Sequence, residues 1–289
     1  MFRTKTYKIL FMEKVAVLLP VYVKDNPEYF KTTIEFICTQ SYRNFKIFVG
    51  IDGPIEGQLE KQIHECEQSQ QFFVCRFPEN RGLACVLNDL IVEAEKQGFE
   101  YFARIDADDI CVNTRFERQM RYLQEHPEVD VVGGAIEEID DNSVKNGKMV
   151  VYPLTHDDCR KFFRYRDPLA HPATFFRKSY FDKVAKYNGK VNTWYRPEYR
   201  KNQDTMLWFD GFMSGCIFAN LPDTVLNFRV AKDFYERRNG WKRAKQMMRS
   251  RMEINKAMKY DVSANLFALA MAIMTVSPTW LKKFLYKIR

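Results

Sequence analysis

Apolar and polar positions follow two rhythms along this chain, and the switches between them mark out its elements. Val15-Ala16-Val17-Leu18-Leu19-Pro20-Val21-Tyr22 is an apolar run stopped by proline, the pattern of a parallel strand buried on both faces. Asn26-Pro27-Glu28 opens a helix, with Asn as N-cap and Pro at the first helical position. Phe30, Ile34, Ile37 and Cys38 give that helix an apolar stripe. A second strand spans 45–51 and ends at Asp52-Gly53-Pro54, a helix covers 56–69, and a third strand covers 72–75. After Glu79-Asn80-Arg81-Gly82, the spacing of Leu83, Val86, Leu87, Leu90, Ile91 and Ala94 predicts another helix. A fourth strand follows Gly98, a helix runs from Asn113-Thr114-Arg115 to Glu125, and a fifth strand covers 129–132 before Gly133-Gly134.

Residues 15–134 thus read β-α-β-α-β-α-β-α-β. This alternation predicts a Rossmann-like, mainly parallel α/β sheet with helices on both faces. Pro20-Val21-Tyr22, Asp52-Gly53 and Asp106-Ala107-Asp108 all follow strands. They fall on the one edge where open α/β sheets bind ligands. Beyond residue 135 the alternation breaks down. Asp140-Asp141-Asn142 and Lys145-Asn146-Gly147-Lys148 read as hairpin turns. Residues 167–176 form a loop entering a short strand. A helix begins at Ser179-Tyr180-Phe181 and ends at Tyr187-Asn188-Gly189, another starts at Asn202-Gln203-Asp204, and a strand covers 224–230.

A length of 289 residues with 46% apolar content allows one large domain or two small ones with a real core. Seven cysteines, an odd count without a C-x-x-C pair, argue for reduced thiols in a cytosolic protein and against a disulfide framework or zinc site. The apolar run Ile9-Leu10-Phe11-Met12 is too short for a signal peptide. No G-x-G-x-x-G follows the first strand and no G-x-x-x-x-G-K-[ST] occurs, which argues against a classical dinucleotide site and excludes a P-loop NTPase. Net charge is +8, concentrated in 229–259 and 282–289. The excess is either a solvated helix face or a surface for phospholipid or nucleic acid. A basic nucleic-acid-binding protein would explain it, but no recognition motif is visible.

The chemistry centres on Asp106, Asp108 and Asp109, three carboxylates at the end of the fourth strand. In extended geometry Asp106 and Asp108 point the same way. A hard divalent cation that also holds phosphate oxygens would relieve their repulsion. The alternative is a polar loop capping the next helix, with Asp109 or Asn113 as N-cap. Asp52 could likewise start a turn, Arg81 could pair with a surface acid, and Asp204 could be a helix N-terminal acid.

Taken together in this order, Leu19-Pro20-Val21-Tyr22, Gln40-Ser41-Tyr42, Asp52-Gly53, Asn80-Arg81-Gly82-Leu83, Arg104-Ile105-Asp106-Ala107-Asp108-Asp109 and Gln203-Asp204 resemble an inverting glycosyltransferase of family 2 with the GT-A fold. The resemblance runs over 15–230 and is nearest to bacterial enzymes of capsule, exopolysaccharide and O-antigen synthesis. It implies a nucleotide-binding half at 15–134, an acceptor half at 135–230, and a helical tail at 231–289 outside the 1–230 transferase domain. It implies that Pro20, Val21 and Tyr22 touch the nucleobase and that Asp52 holds the base edge. Arg81 lies over base and ribose, Asp106 with Ala107 binds the ribose, and Asp108 holds Mn²⁺ or Mg²⁺. Asp204 is implied as the general base. The implied donor is a nucleotide sugar, a UDP-sugar, and the implied acceptor a polyprenyl-diphosphate-linked glycan. Two departures stand out. Gln203 replaces a Glu common in the family, which leaves open a fold that has lost activity. No His follows Arg229, so Lys232, Arg237 and Arg238 are candidates to clamp the leaving diphosphate. His171 is placed on the acceptor side. A nucleotidyltransferase is the enzymatic rival, disfavoured because no Gly-rich basic loop follows the first strand.

The tail begins with a basic helix over 241–260 carrying Lys242, Arg243, Lys245, Arg249, Arg251, Lys256 and Lys259. The apolar run 266–276 is about 16 Å long as a helix, short of a bilayer's core of about 30 Å. With Trp280, Phe284 and Tyr286 among basic residues, it describes either a helix in the membrane interface or one packed on the domain. The first reading predicts a cytoplasmic protein, peripheral on an anionic inner membrane face.

Overall fold

The structure is a computed structural model, and it describes residues 13–231, 240–278 and 281. Among the described residues nine strands form one sheet: β1 (Val15–Val21), β2 (Phe45–Ile51), β3 (Phe72–Arg76), β4 (Tyr101–Arg104), β5 (Ile110–Cys111), β6 (Val131–Ile139), β7 (Lys145–Val150), β8 (Phe175–Arg177) and β9 (Phe218–Arg229). Their order is β3-β2-β1-β4-β8-β6-β9-β5, with β7 on β6. The part built by the regular β-α alternation, β3-β2-β1-β4, is wholly parallel. The second half is mixed: β8 runs antiparallel between β4 and β6, and β9 lies parallel to β6. One sheet therefore crosses both predicted halves.

The α-helices are α1 (Pro27–Cys38), α2 (Gly57–Glu67), α3 (Leu83–Lys96), α4 (Arg115–Glu125), α5 (His156–Phe163), α6 (Lys178–Asn188), α7 (Gln203–Met213), α8 (Trp241–Ala257) and α9 (Val262–Val276). Alternate strand residues feed two cores. Val15, Val17, Leu19, Ile47 and Val49 meet Phe30, Ile63 and Phe116 of α1, α2 and α4. Ala16, Leu18, Phe48 and Phe102 meet Leu87, Phe163, Phe181 and Trp208 of α3, α5, α6 and α7. Burial on both faces is why the strands read as continuous apolar runs.

Several expectations are corrected. Pro20 lies inside β1, paired with Gly50, where the β4 ladder has already ended at Leu18 and Arg104; a proline there forfeits no ladder bond. The strand expected to stop at Gly133-Gly134 continues to Ile139. Its glycines let β9 approach, since a Cβ at Gly133 would meet the Asn220 amide oxygen at 2.2 Å. Residues 145–148 belong to β7 rather than to a turn. Helix α5 escaped the apolar pattern, although Thr155 caps it by accepting from the Asp158 amide, a signal present in Thr155-His156-Asp157-Asp158. The N-cap of α4 is Thr114. Asp109 instead precedes β5, and the Asn113 side chain donates to the Thr39 carbonyl.

Helix α8 packs Ile254 into the second core, joined by Met258 just past its end. Helix α9 folds back on α8, with Asn255 donating to Asn265 at 2.9 Å, and leaves Val262, Leu266, Leu269 and Ile273 exposed. No helix among the described residues is long and apolar enough to cross a membrane.

Candidate active site

The register of β1, β2 and β4 brings three strand ends together, with Val21 opposite Ile51 and Leu18 opposite Arg104. Beyond β1, the Asp52 amide donates to the Val21 carbonyl at 2.8 Å, and the Tyr22 amide is held by the Asp25 carboxylate at 2.9 Å. Asp52 is buried. Its carboxylate accepts from the Arg81 amide at 2.7 Å and the Gly82 amide at 2.9 Å, while Asn80 donates to its carbonyl at 3.2 Å. Asp52 therefore fixes the loop that starts α3. The Arg81 guanidinium lies 4.2 Å from the centre of the Phe77 ring and pairs with Asp89.

Strand β4 stops at Arg104, and residues 106–109 form a turn in which the Asp109 amide donates to the Asp106 carbonyl. The turn, rather than strand alternation, gathers the acids: one oxygen each of Asp106, Asp108 and Asp109 lie within 4.8 Å of one another. Thr33 of α1 donates to the carbonyls of Ala107 and Asp109 at 3.1 and 2.8 Å. Arg229, at the end of β9, donates its amide to Asp109 Oδ1 at 2.8 Å and Nε to the Asp108 carbonyl at 2.8 Å. Its other nitrogens hold the Asp140 carbonyl and the Ser143 hydroxyl, and its guanidinium covers the Tyr29 ring at 4.0 Å. A turn tied down on both sides presents its carboxylates with little freedom.

Asp109 is fully buried, and its Oδ2 has no hydrogen-bond partner. Burial, then the charges of Asp108 and Asp106, push its pKa well above the usual carboxylate range. A cation would supply what that oxygen lacks. Three carboxylates at this separation are hard oxygen donors of the kind that hold Mg²⁺ or Mn²⁺. Beneath them the buried Arg104 pairs with Asp106.

Asp204 lies in the first turn of α7. The helix N-cap, Asn202, sits in the left-handed region at φ 59°, and Asp204 Oδ1 accepts from the Thr205 amide at 2.8 Å. Tyr195 feels the charge of both Asp204 and the acidic turn. Burial raises its pKa, Arg104 opposes the rise, and Asp204 and Asp106 add to it, so both carboxylates act on one phenol. Asn88 of α3 pins the backbone there, accepting from the amides of Trp194 and Tyr195 at 3.1 and 2.9 Å.

His171 departs from its expected place. It is buried behind Tyr195, with Nε2 2.8 Å from the phenol oxygen, and packs edge-on against Trp208. An interior position of this kind presents no side chain to an acceptor. Gln203 is half-buried, with an amide oxygen that has no partner. Lys232, Arg237 and Arg238 lie outside the described residues. Sequence reasoning weighed Asp109 as a cap, and passed over Arg104 as its neighbour and Arg229 as the clamp. The first two stood within the quoted motif; nothing local pairs residue 229 with 109.

Comparison with known proteins gives three kinds of match. The family model described as Glycosyl transferase family 2 matches residues 16–220. The amylovoran biosynthesis glycosyltransferase AmsE of Erwinia amylovora is 28% identical over 94% of this chain and 97% of its own. An Escherichia coli UDP-Gal:alpha-D-GlcNAc-diphosphoundecaprenol beta-1,3-galactosyltransferase is 23% identical over 80% of this chain and 79% of its own. The solved structure of the mannosyltransferase PcManGT from Pyrobaculum calidifontis, in complex with GDP-Man and Mn²⁺, shares the fold. Its TM-score is 0.57 at 16% identity, over 95% of this chain and 79% of that one.

Proposed function

This chain belongs to glycosyl transferase family 2, and on that premise we propose that it is a metal-dependent inverting enzyme that moves a sugar from a UDP-sugar to a hydroxyl of a lipid-linked glycan. The observation that carries the reading is the convergence of Asp106, Asp108 and Asp109 within 4.8 Å, on the same sheet edge as the loop held by Asp52. Asp108, with Asp106 and the unpartnered oxygen of Asp109, would hold Mg²⁺ or Mn²⁺. When bound, the ion supplies Lewis-acid stabilisation of the charge that grows on the leaving diphosphate.

The chain's own residues do the rest. The Pro20-Val21-Tyr22 turn and Asp52 receive the nucleobase. A carboxylate has about four acceptor sites, so Asp52 keeps capacity for a base N–H while holding the α3 loop. Arg81 covers base and ribose, and Asp106 with Ala107 takes the ribose. Asp204 takes the proton from the acceptor hydroxyl as it attacks. That Asp106 and Asp204 both act on Tyr195 supports donor and base sharing one cleft. Gln203 beside the base is neutral, which suits acceptor binding but not proton transfer.

The tail is the attachment device in this reading. Lys242, Lys245, Arg249 and Lys256 of α8 are exposed, as is the outer apolar side of α9. An apolar helix face with neighbouring cations suits the anionic inner face of a cell membrane. The relative whose printed name carries a diphosphoundecaprenol acceptor supports a substrate held there.

The test is release of nucleoside diphosphate from UDP-glucose, UDP-galactose, UDP-N-acetylglucosamine and GDP-mannose, with Mn²⁺, Mg²⁺ or EDTA. Turnover of one UDP-sugar that EDTA abolishes is expected. Asp108→Asn and Asp204→Asn should each lose about 100-fold or more, the latter with UDP binding kept. No turnover together with no UDP binding overturns the reading.

A further inference from the structure

Helix α7 begins without an ordinary cap. Asn202 stands at the N-cap in the left-handed region, and its side chain makes no capping bond. A cap side chain ordinarily receives the amide of the second or third helical residue. Here the third amide, that of Thr205, donates instead to Asp204 Oδ1 at 2.8 Å. The carboxylate proposed as the base is therefore oriented by the residue that follows it.

Thr205 is buried, and its hydroxyl donates to Asp167 Oδ2 at 2.8 Å. The other oxygen of Asp167 accepts from Arg251 of α8 at 3.0 Å. Arg251 also donates to the Phe163 carbonyl at 2.9 Å and lies over the Phe163 ring at 5.2 Å. Hydrogen bonds thus run unbroken from α8 through Asp167 and Thr205 to the Asp204 carboxylate. Those that Asp167 makes are charge-assisted, the stronger kind.

The loop before α7 has anchors of its own. Arg196 joins Asp210 of α7 at 2.6 Å and Glu253 of α8 at 3.1 Å. Tyr199 donates to Glu253 at 3.0 Å, and Gln246 donates to the Lys201 carbonyl at 3.3 Å. These bonds hold 196–201 by routes that do not pass through Asp167. What Asp167 adds to α7 falls on its first turn, where Asp204 sits.

We infer that Asp167 is a positioning residue: through the Thr205 hydroxyl it fixes the amide that orients the Asp204 carboxylate, and Arg251 fixes Asp167 in turn. This rests on Asp204 being the base. A misplacement of about 1 Å at a reacting centre can cost about 100-fold in rate, so a base on a helix start that its own N-cap leaves unheld gains from a second tether. Arg251 lies beyond the residues 16–220 matched by the family model, so that tether ends in the helical tail.

The full-length chain is assayed for Mn²⁺-dependent hydrolysis of whichever of the four sugar nucleotides above it turns over, with UDP affinity and urea unfolding measured on the same samples. The variants are Thr205→Val, Thr205→Ser, Asp167→Ala, Asp167→Ala/Thr205→Val, Asp204→Asn and Thr205→Val/Asp204→Asn. Thr205→Val, which loses the hydroxyl, should lower kcat about tenfold or more with donor KM and UDP affinity held within about twofold. Thr205→Ser, which keeps the hydroxyl, should restore most of kcat. Asp167→Ala should lose about as much as Thr205→Val, and the pair together no more than either alone. With Asp204→Asn already present, Thr205→Val should cost nothing further. An unchanged kcat in Thr205→Val or Asp167→Ala overturns the inference, as do additive losses in either double variant. A kcat loss that Thr205→Ser does not restore, or one matched by an equal loss of UDP affinity, marks a merely structural role and overturns it too. Full activity in Asp204→Asn, or no turnover of any donor, overturns the base reading and this inference with it. Asp204→Asn inactive beside a normal Thr205→Val overturns only this one. If Asp167→Ala does not fold, Asp167→Leu/Arg251→Met removes the ion pair as a unit and decides by the same kcat criterion.

Discussion

Burial of His171 and His156 weakens the fold in acid, while the raised pKa of Asp109 works the other way. Burial, reinforced by Arg104, drives the His171 pKa well below its usual value, and burial lowers His156 as well. The unfolded chain binds these protons near pH 6.5 while the folded one does not. Their contribution to stability is therefore full above that pH and falls as pH drops toward the depressed folded values. The slope is about 1.4 kcal/mol per pH unit for each proton. Urea unfolding between pH 7.5 and 5 should show His171→Gln losing less stability in acid than the wild type, by one proton's slope. An unaltered slope in that variant would mean that His171 is protonated in the fold. Asp109 is the other residue whose environment the sequence hid. Its neighbours Asp106 and Asp108 advertise a cation site, but only the fold leaves one Asp109 oxygen buried and unpaired.

Among the elements, the start of α3 shows how a site is built from local geometry. Gly82 adopts φ 92° and ψ 157°, a region essentially restricted to glycine. A Cβ there would also meet the Arg200 guanidinium at 2.7 Å. Gly82→Ala should cost about 1–3 kcal/mol and swing the Arg81 loop away from Asp52, so donor KM should rise together with the loss of stability. Urea unfolding and UDP titration of the same variant check both; a stable Gly82→Ala with unaltered UDP affinity would uncouple α3's start from the donor site. The predicted helix there was legible because Leu83, Val86, Leu87, Leu90 and Ile91 all face one core. Helix α5 was not, because its burial rests on Cys159 and Phe163, too few apolar positions to set a period.

On the scale of the whole molecule, the tail is joined to the domain on one side and apolar on the other. The exposed side of α9 and the cations of α8 predict retention on vesicles containing anionic lipid. Each basic residue near such a surface contributes about 1 kcal/mol, and salt screens it. Retention in a flotation assay should therefore fall between 0.1 and 0.5 M NaCl. Leu266→Asp/Ile273→Asp should weaken it at low salt without altering donor hydrolysis in solution. Equal retention on neutral vesicles at high salt would remove the electrostatic part of the reading.

The sequence by itself determined the parallel half of the sheet, most helix boundaries, and the acids at its edge. Those features are local: apolar period, caps and turn residues are written within a few positions of one another. The order of the motifs that carry Asp52, Arg81, Asp106, Asp108 and Asp204 was also legible, and with it the family. The tertiary structure alone decided what surrounds them. It inserted β8 between β4 and β6, carried β6 through two glycines to meet β9, and so brought Arg229 to the acidic turn. It buried His171 behind Tyr195 and set α8 against the loop before α7. Those contacts join residues far apart in the chain, where side-chain packing rather than local pattern chooses the partner.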